Sequence, residues 1–276
     1  KALQMATIQP ARCYGLYQLG MIAPGRQADF VILDNVTDLN VVDVYHCGKR
    51  VIRDEKVEVK PCPPHLKNTV HVSGFSEERL KLKHPGGKAH VIQMLEKQIV
   101  TSDVVEEVPW KVLDGEKYFV PDGEYQKIAV IERHKNTGKM GVGIVKGYGI
   151  RGGAIASSVS HDSHNIIVVG DNDRDMALAV KEMMRTQGGY TLVRDGEIYG
   201  TLPLPVMGLM SDAGYESVNE ALAKMIPKAH EMGVKDGFDP FITLSFMALP
   251  VIPEIRITPR GIYLVKEDRM LRTPFC

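Results

Sequence analysis

Apolar residues fall in short runs of strand length along most of this chain, and in two places they recur at the helical period. The first sixty residues have their own texture. Residues 2–8 form an amphipathic helical stretch, and Pro10 opens a short second helix ending near Gly15. Pro24-Gly25 marks a turn, and the apolar run 28–34 has strand length. Residues 41–45 and 49–57 read as two more strands around a turn at Gly48. Pro61, Pro63 and Pro64 then punctuate the chain, which divides it into domains 1–64 and 65–276.

Beyond that boundary the pattern mixes strands and helices. Strands are predicted at 89–100, 127–133, 141–145, 154–159 and 165–169, and again at 254–258 and 262–265. Asp195-Gly196 is the strongest hairpin signal, joining strands at 190–193 and 197–201. Met176, Ala177, Val180, Met183 and Met184 repeat at helical spacing after a start at Asp171 and Asp173. Val218, Leu222, Met225, Ile226 and Ala229 do the same after Ser217, with Pro227 expected to kink or split that helix. A shorter helix is predicted within 240–249. The methionines in these stripes are read as core, where they fill irregular gaps. The fold class is α+β: a small first domain, then a larger α/β-layered domain with a mostly antiparallel or mixed sheet.

Charge narrows the partners. Lys+Arg and Asp+Glu both number 34, so the net charge is zero and no electrostatic footprint for a nucleic-acid backbone or an anionic membrane exists. No apolar run approaches the roughly 18 residues of a transmembrane helix. Cys13, Cys47, Cys62 and Cys276 form no C-x-x-C pair, which suits free thiols in a reducing cytoplasm. Lys1 to Gln9 reads as a helix cut partway along, without a starting methionine, a cap or a signal-peptide pattern, so a fragment is expected.

The motif ATIQPAR at 6–12, with Gly15-Leu16, Gly20, Ile22, Pro24-Gly25 and the run from Ala28 to Val31, resembles the close of an amidohydrolase-superfamily enzyme. There the last barrel helix runs into a small β-sandwich, so residues 1–64 are expected to be a sandwich remnant. SHDSHN at 160–165 with the apolar run after it, LPLPVMGLMS at 202–211, PFITLSFMALP at 240–250 and PEIRIT at 253–258 resemble the C-terminal domain of adenine deaminases. The resemblance covers essentially the whole chain.

It implies hydrolysis of adenine to hypoxanthine and ammonia in purine salvage, by attack of an activated water on C6. A bound metal is needed because coordination lowers the pKa of water from 15.7 to about 7. In the superfamily the metal ligands lie at the C-terminal ends of barrel strands and include an H-x-H pair. This chain has no H-x-H and no eightfold strand–helix alternation; His46, His65, His71, His84, His90, His134 and His230 are scattered singly. The expectation is therefore no cofactor on this chain, Mn or Fe (with Zn as an alternative) in the complete enzyme, and inactivity alone. The expected partners are the amidohydrolase barrel preceding Lys1 and, in the complete enzyme, adenine; large interdomain surfaces also allow a homodimer. The alternative is a stand-alone non-catalytic binding or oligomerisation module.

His161, Asp162, Ser163, His164 and Asn165 form the densest polar cluster, between two apolar strands, and so should build a tight exposed loop. Three readings compete. The imidazoles with Asp162 are able to converge on one metal ion, although no further ligand lies nearby unless Asp171 and Asp173 fold back. In the complete enzyme the loop is able to face the active site, with His161 or His164 orienting a proton or ammonia and Asn165 reading a purine edge. The third reading, a hydrogen-bonded turn, needs nothing beyond local Asp and Ser chemistry and is favoured. The glycine-rich stretch 141–153 lacks the following helix that a dinucleotide fingerprint requires, and is read as turns and a bulge. Ser157, Ser158 and Ser160 beside His161 lack a nucleophile-elbow motif.

Overall fold

The computed structural model describes residues 1–51 and 62–276. The chain divides into two units, Lys1–Val59 and Lys60–Cys276.

In the first unit, helices α1 (Ala2–Met5) and α2 (Ile8–Cys13) precede a three-stranded antiparallel sheet of β1 (Phe30–Leu33), β2 (Val41–His46) and β3 (Lys49–Val51). The strand predicted at 49–57 is met at its start, and the rest of it lies outside the described residues, as does Pro61. Ala11 is the only buried residue among the described ones of this unit. Ile22, Tyr14 and Val36 stand 84%, 79% and 75% exposed.

The second unit is built on an eight-stranded sheet. Its strands are β4 (Ala89–Met94), β5 (Thr101–Glu106), β8 (Tyr125–Ile131), β9 (Met140–Lys146), β10 (Gly153–Ser157), β11 (Ile166–Gly170), β12 (Gly189–Arg194) and β13 (Glu197–Pro203). β6 (Trp110–Leu113) and β7 (Glu116–Phe119) make a separate hairpin. The order is β13-β12-β10-β11-β8-β9-β4-β5, antiparallel throughout except between β4 and β9. Helices α3 (Asp173–Thr186), α4 (Tyr215–Glu231) and α5 (Ile242–Phe246) and a small antiparallel sheet of β14 (Ile255–Thr258), β15 (Gly261–Leu264) and β16 (Arg269–Leu271) complete it. This is the expected α+β arrangement with a mixed sheet.

Strand periodicity explains the layers. In β8, Ile128 and Val130 enter one core while Ala129 and Ile131 enter the other; in β11, Ile167 and Val169 alternate with Ile166 and Val168. Both faces are covered, so these central strands read as unbroken apolar runs rather than as alternating ones. One face packs against α4, α5 and the small sheet, through Met225, Phe241, Leu244 and Ile257. The other packs against α3 through Met176, Ala177, Val180 and Met183. At Gly143 a Cβ would lie 2.6 Å from Ile262 Cδ1, so glycine there lets the small sheet approach.

Capping fits α3: the Asn172 side chain accepts from the Asp175 N–H, and Asp173 and Asp175 favour the positive helix end. The helix starts at Asp173, two residues past Asp171, with Asn172 as its N-cap. In α4 the expected split does not occur: the helix runs through Pro227, held by Met225 and Ala229 buried on either side of it. No helix among the described residues is long and apolar enough to cross a membrane.

Candidate functional site

β10 and β11 pair as neighbours, Ser157 opposite Ile167, and the 158–165 segment joins them at one end of the sheet. The same end carries the close of β8, where Ile131 pairs with Ile166, and the start of β12, where Tyr190 pairs with Ser157. Polar residues just beyond buried strand ends therefore converge there.

The loop is held from three directions. Its His161 N–H donates to Ser245 O at the end of α5 (3.1 Å), and the His161 ring stacks on Phe246 with centroids 5.0 Å apart. Ser158 accepts from the Gly189 N–H (2.7 Å) and donates to Gly208 O (2.6 Å). Arg133, buried just past β8, donates through Nε to His164 O (2.5 Å), through Nη1 to Thr69 O (3.3 Å) and through Nη2 to Met207 O (3.0 Å). Burial pushes its guanidinium down to about 10, which leaves it charged at neutral pH.

The five predicted residues separate into distinct roles. Asn165 is buried and spent: Nδ2 donates to Ser163 Oγ (3.1 Å) and Oδ1 accepts from the Arg133 N–H (3.3 Å). Asp162 is exposed, and its carboxylate lies 3.9 Å from His161 Nδ1. Ser163 O accepts from His134 Nε2 (2.7 Å). The His161 and His164 rings meet edge-on at 5.8 Å. His164 sits at φ +50°, and its buried Nδ1 has no partner. Burial pushes the His164 imidazole below its ordinary value, and the neighbouring His161 and Arg133 charges act in the same direction.

The metal reading of this loop is not met. Among the described residues, three ligating atoms converge within 4.8 Å of one another at Asp29, His46 and Cys47 in the first unit, all exposed, and not in this loop. There Asp29 Oδ1 accepts from the Cys47 N–H (2.7 Å) and closes the turn after β2. The loop residues thus do not fit the metal centre that the family implies, and no step through a metal is assigned to them. Ser157 and Ser158 are structural too, since both bond to backbone groups, whereas the buried Ser160 Oγ has no partner. In the glycine-rich stretch, Gly147, Gly149 and Gly152 turn the chain between β9 and β10, as read. Lys146 beside them is held by Glu106 (2.8 Å) and Glu124 (3.1 Å).

Arg133, His134 and His71 escaped the sequence reading. His71 donates its N–H to Arg133 O (2.8 Å), and Glu132 orders the turn carrying His134. Burial alone would raise the Glu132 carboxyl. Bonds from the Thr137, Lys135 and His134 N–H groups and from the Thr137 hydroxyl hold it down at about 2. The only signal was a run of charged residues, Glu132-Arg133-His134, closing an apolar strand.

The sequence model of the family described as adenine deaminase C-terminal domain matches residues 98–269, and that of the amidohydrolase family matches residues 1–60. An adenine deaminase of Desulfitobacterium hafniense (strain Y51) is 52% identical over 272 residues, covering 99% of this chain and 47% of that protein. The adenine deaminase of Nitratidesulfovibrio vulgaris (strain DP4) is 44% identical over 269 residues, covering 96% and 46%. That of Clostridium acetobutylicum is 43% identical over 277 residues, covering 98% and 48%. The chain spans about half the length of the curated relatives it matches.

Proposed function

Because this chain belongs to the adenine deaminase C-terminal domain family, we propose that it works as the C-terminal part of an adenine deaminase. The complete protein hydrolyses adenine to hypoxanthine and ammonia in purine salvage, and the chain by itself does not turn over. The observation that carries this reading is the first unit. With Ala11 its only buried residue among those described, it lacks a core of its own and needs a partner surface. The amidohydrolase barrel is that partner, which accords with the match of residues 1–60 to the amidohydrolase family. Mn or Fe, or Zn in their place, belongs to the barrel and supplies the activated water. Four unpaired cysteines suit a cytoplasmic location.

In the complete enzyme the loop of His161, Asp162, Ser163, His164 and Asn165 faces the purine. Support comes from its rigidity: Arg133, Ser245 and Phe246 fix the loop while the His161 ring, with 37% of the side chain exposed, keeps its nitrogens free of short hydrogen bonds. A positioned imidazole of this kind moves a proton toward departing ammonia, which contributes about 100-fold or more where it operates. Replacing His161 and His164 singly by alanine in the complete enzyme should lower kcat/KM at least about ten-fold for one of them with Tm held within a few degrees. Turnover within a few-fold of wild type for both would remove the loop from the site.

The exposed apolar side chains of the first unit also favour a second reading, a stand-alone binding or oligomerisation module, with a homodimer as its simplest form. Co-expression with a barrel polypeptide separates the two. Co-purification, with adenine turnover on adding Mn²⁺, supports the enzyme part; a dimer that ignores the barrel supports the module.

A further inference from the structure

A pocket of about 320 Å³ opens beside the loop, lined by Thr69, His71, Arg133, His134 and His164 with Met207 and Leu209. Its polar side chains are three imidazoles, a guanidinium and a hydroxyl, and no carboxylate lines it. The volume is roughly ten times the share of one water in the liquid, enough for a small polyatomic ion.

Arg133 shows what is missing. Three bonds to carbonyls use three of its five N–H donors, and no carboxylate among the described residues lies in ion-pairing range. Glu132, next in sequence, spends its oxygens on the N–H groups of His134, Lys135 and Thr137 and on the Thr137 hydroxyl. A buried cation without a counter-ion is costly. Two more buried polar atoms of the lining, Thr69 Oγ1 and His164 Nδ1, have no partner, and both are able to donate.

We infer that this pocket binds a small tetrahedral oxyanion, held by the remaining Arg133 N–H groups, the Thr69 hydroxyl and His164 Nδ1–H, with His71 and His134 completing its electropositive lining. Donors from separate segments suit a tetrahedral anion, whose oxygens point in several directions, and charge-assisted bonds of this kind are the strong ones. The anion is either free or the phosphate group of a small metabolite.

Protonation links to binding. The groups facing His164 are His71, His134 and Arg133 in the pocket and His161 and Asp162 from its own loop; of these only Asp162 favours the imidazolium. An anion in the pocket favours it further, so binding takes up a proton and tightens as pH falls. The pocket is assayed without the barrel and without turnover, so failure here and failure of the proposed role of the loop are separate results.

Calorimetric titration of the whole chain with sulfate, which stays a dianion from pH 5.5 to 8, is the test, at constant ionic strength. Saturable binding is expected, tighter at pH 6 than at pH 8 by about five-fold, with net proton uptake read from the buffer dependence of the heat. His71→Gln with His134→Gln, both on exposed side chains, should weaken it at least about five-fold with Tm retained, as should Thr69→Val. Tighter binding of a nucleoside monophosphate than of inorganic phosphate assigns the phosphorylated metabolite, and the reverse order assigns the free ion; either supports the site. No saturable heat up to tens of millimolar sulfate, or binding that both His and Thr variants leave unchanged, overturns it.

Discussion

Arg133 ties together the backbone of residues 69, 164 and 207, which lie far apart in the sequence, and Gly208 makes room for it. A Cβ on Gly208 would sit 2.8 Å from Arg133 Nη1, and the residue holds φ at +71°. Gly208→Ala therefore meets two penalties, the left-handed backbone of about 1–2 kcal/mol and displacement of a buried guanidinium. Gly115 has φ +81° but open space around its Cβ direction, so Gly115→Ala meets only the first. Urea unfolding should find Gly208→Ala less stable than wild type by about 3 kcal/mol and Gly115→Ala by about 1 kcal/mol. Equal losses would mean that Arg133 yields freely. The pair also shows how far the site was legible. Polar density marked the loop from His161 to Asn165, because those residues are consecutive. Arg133, His71 and His134 were not marked, because their significance comes from contacts with residues tens of positions away, which no local spacing encodes.

At the scale of elements, burial decided what could be read. β8, β10 and β11 are buried on both faces and stand out as apolar runs, and the Asp195-Gly196 turn marked β12 and β13. β5 was missed: it is the edge strand of the sheet, and its sequence TSDVVE mixes polar and apolar residues. The hairpin of β6 and β7 was missed for the same reason, since only Phe119 in it is buried. The predicted strand at 89–100 stops at Met94, where the chain turns over 95–98. Pro227 makes the sharpest case. It sits on the exposed side of α4 near its end, so burial of Met225 and Ala229 outweighs one lost backbone bond and the local clash. Pro227→Ala restores an N–H that can donate to the carbonyl of Ala223, and should raise stability by about 1–3 kcal/mol in thermal or urea unfolding. A destabilised variant would show that the proline's fixed φ is worth more here than the bond it removes.

The whole molecule joins two units of opposite character. The second encloses apolar clusters on both faces of its sheet, whereas the first turns Ile22, Tyr14 and Val36 to solvent around a three-stranded sheet too small to bury them. Such a surface is stable in a protein only when something covers it, so the chain alone should bind hydrophobic dyes and self-associate through its first fifty residues. Replacing Tyr14, Ile22 and Val36 together by serine tests this directly. Dye fluorescence and light scattering should fall, while the melt of the second unit keeps its midpoint within a few degrees because none of its core residues has changed. The same triple variant should lose co-purification with a barrel polypeptide if that barrel is the covering partner. Unchanged dye binding would move the sticky surface elsewhere, with the β6–β7 hairpin and its exposed Trp110, Val112 and Leu113 the next face to alter. Lost dye binding with co-purification intact would separate the two properties: the first unit would remain the source of association, and the barrel would have to be held by other residues.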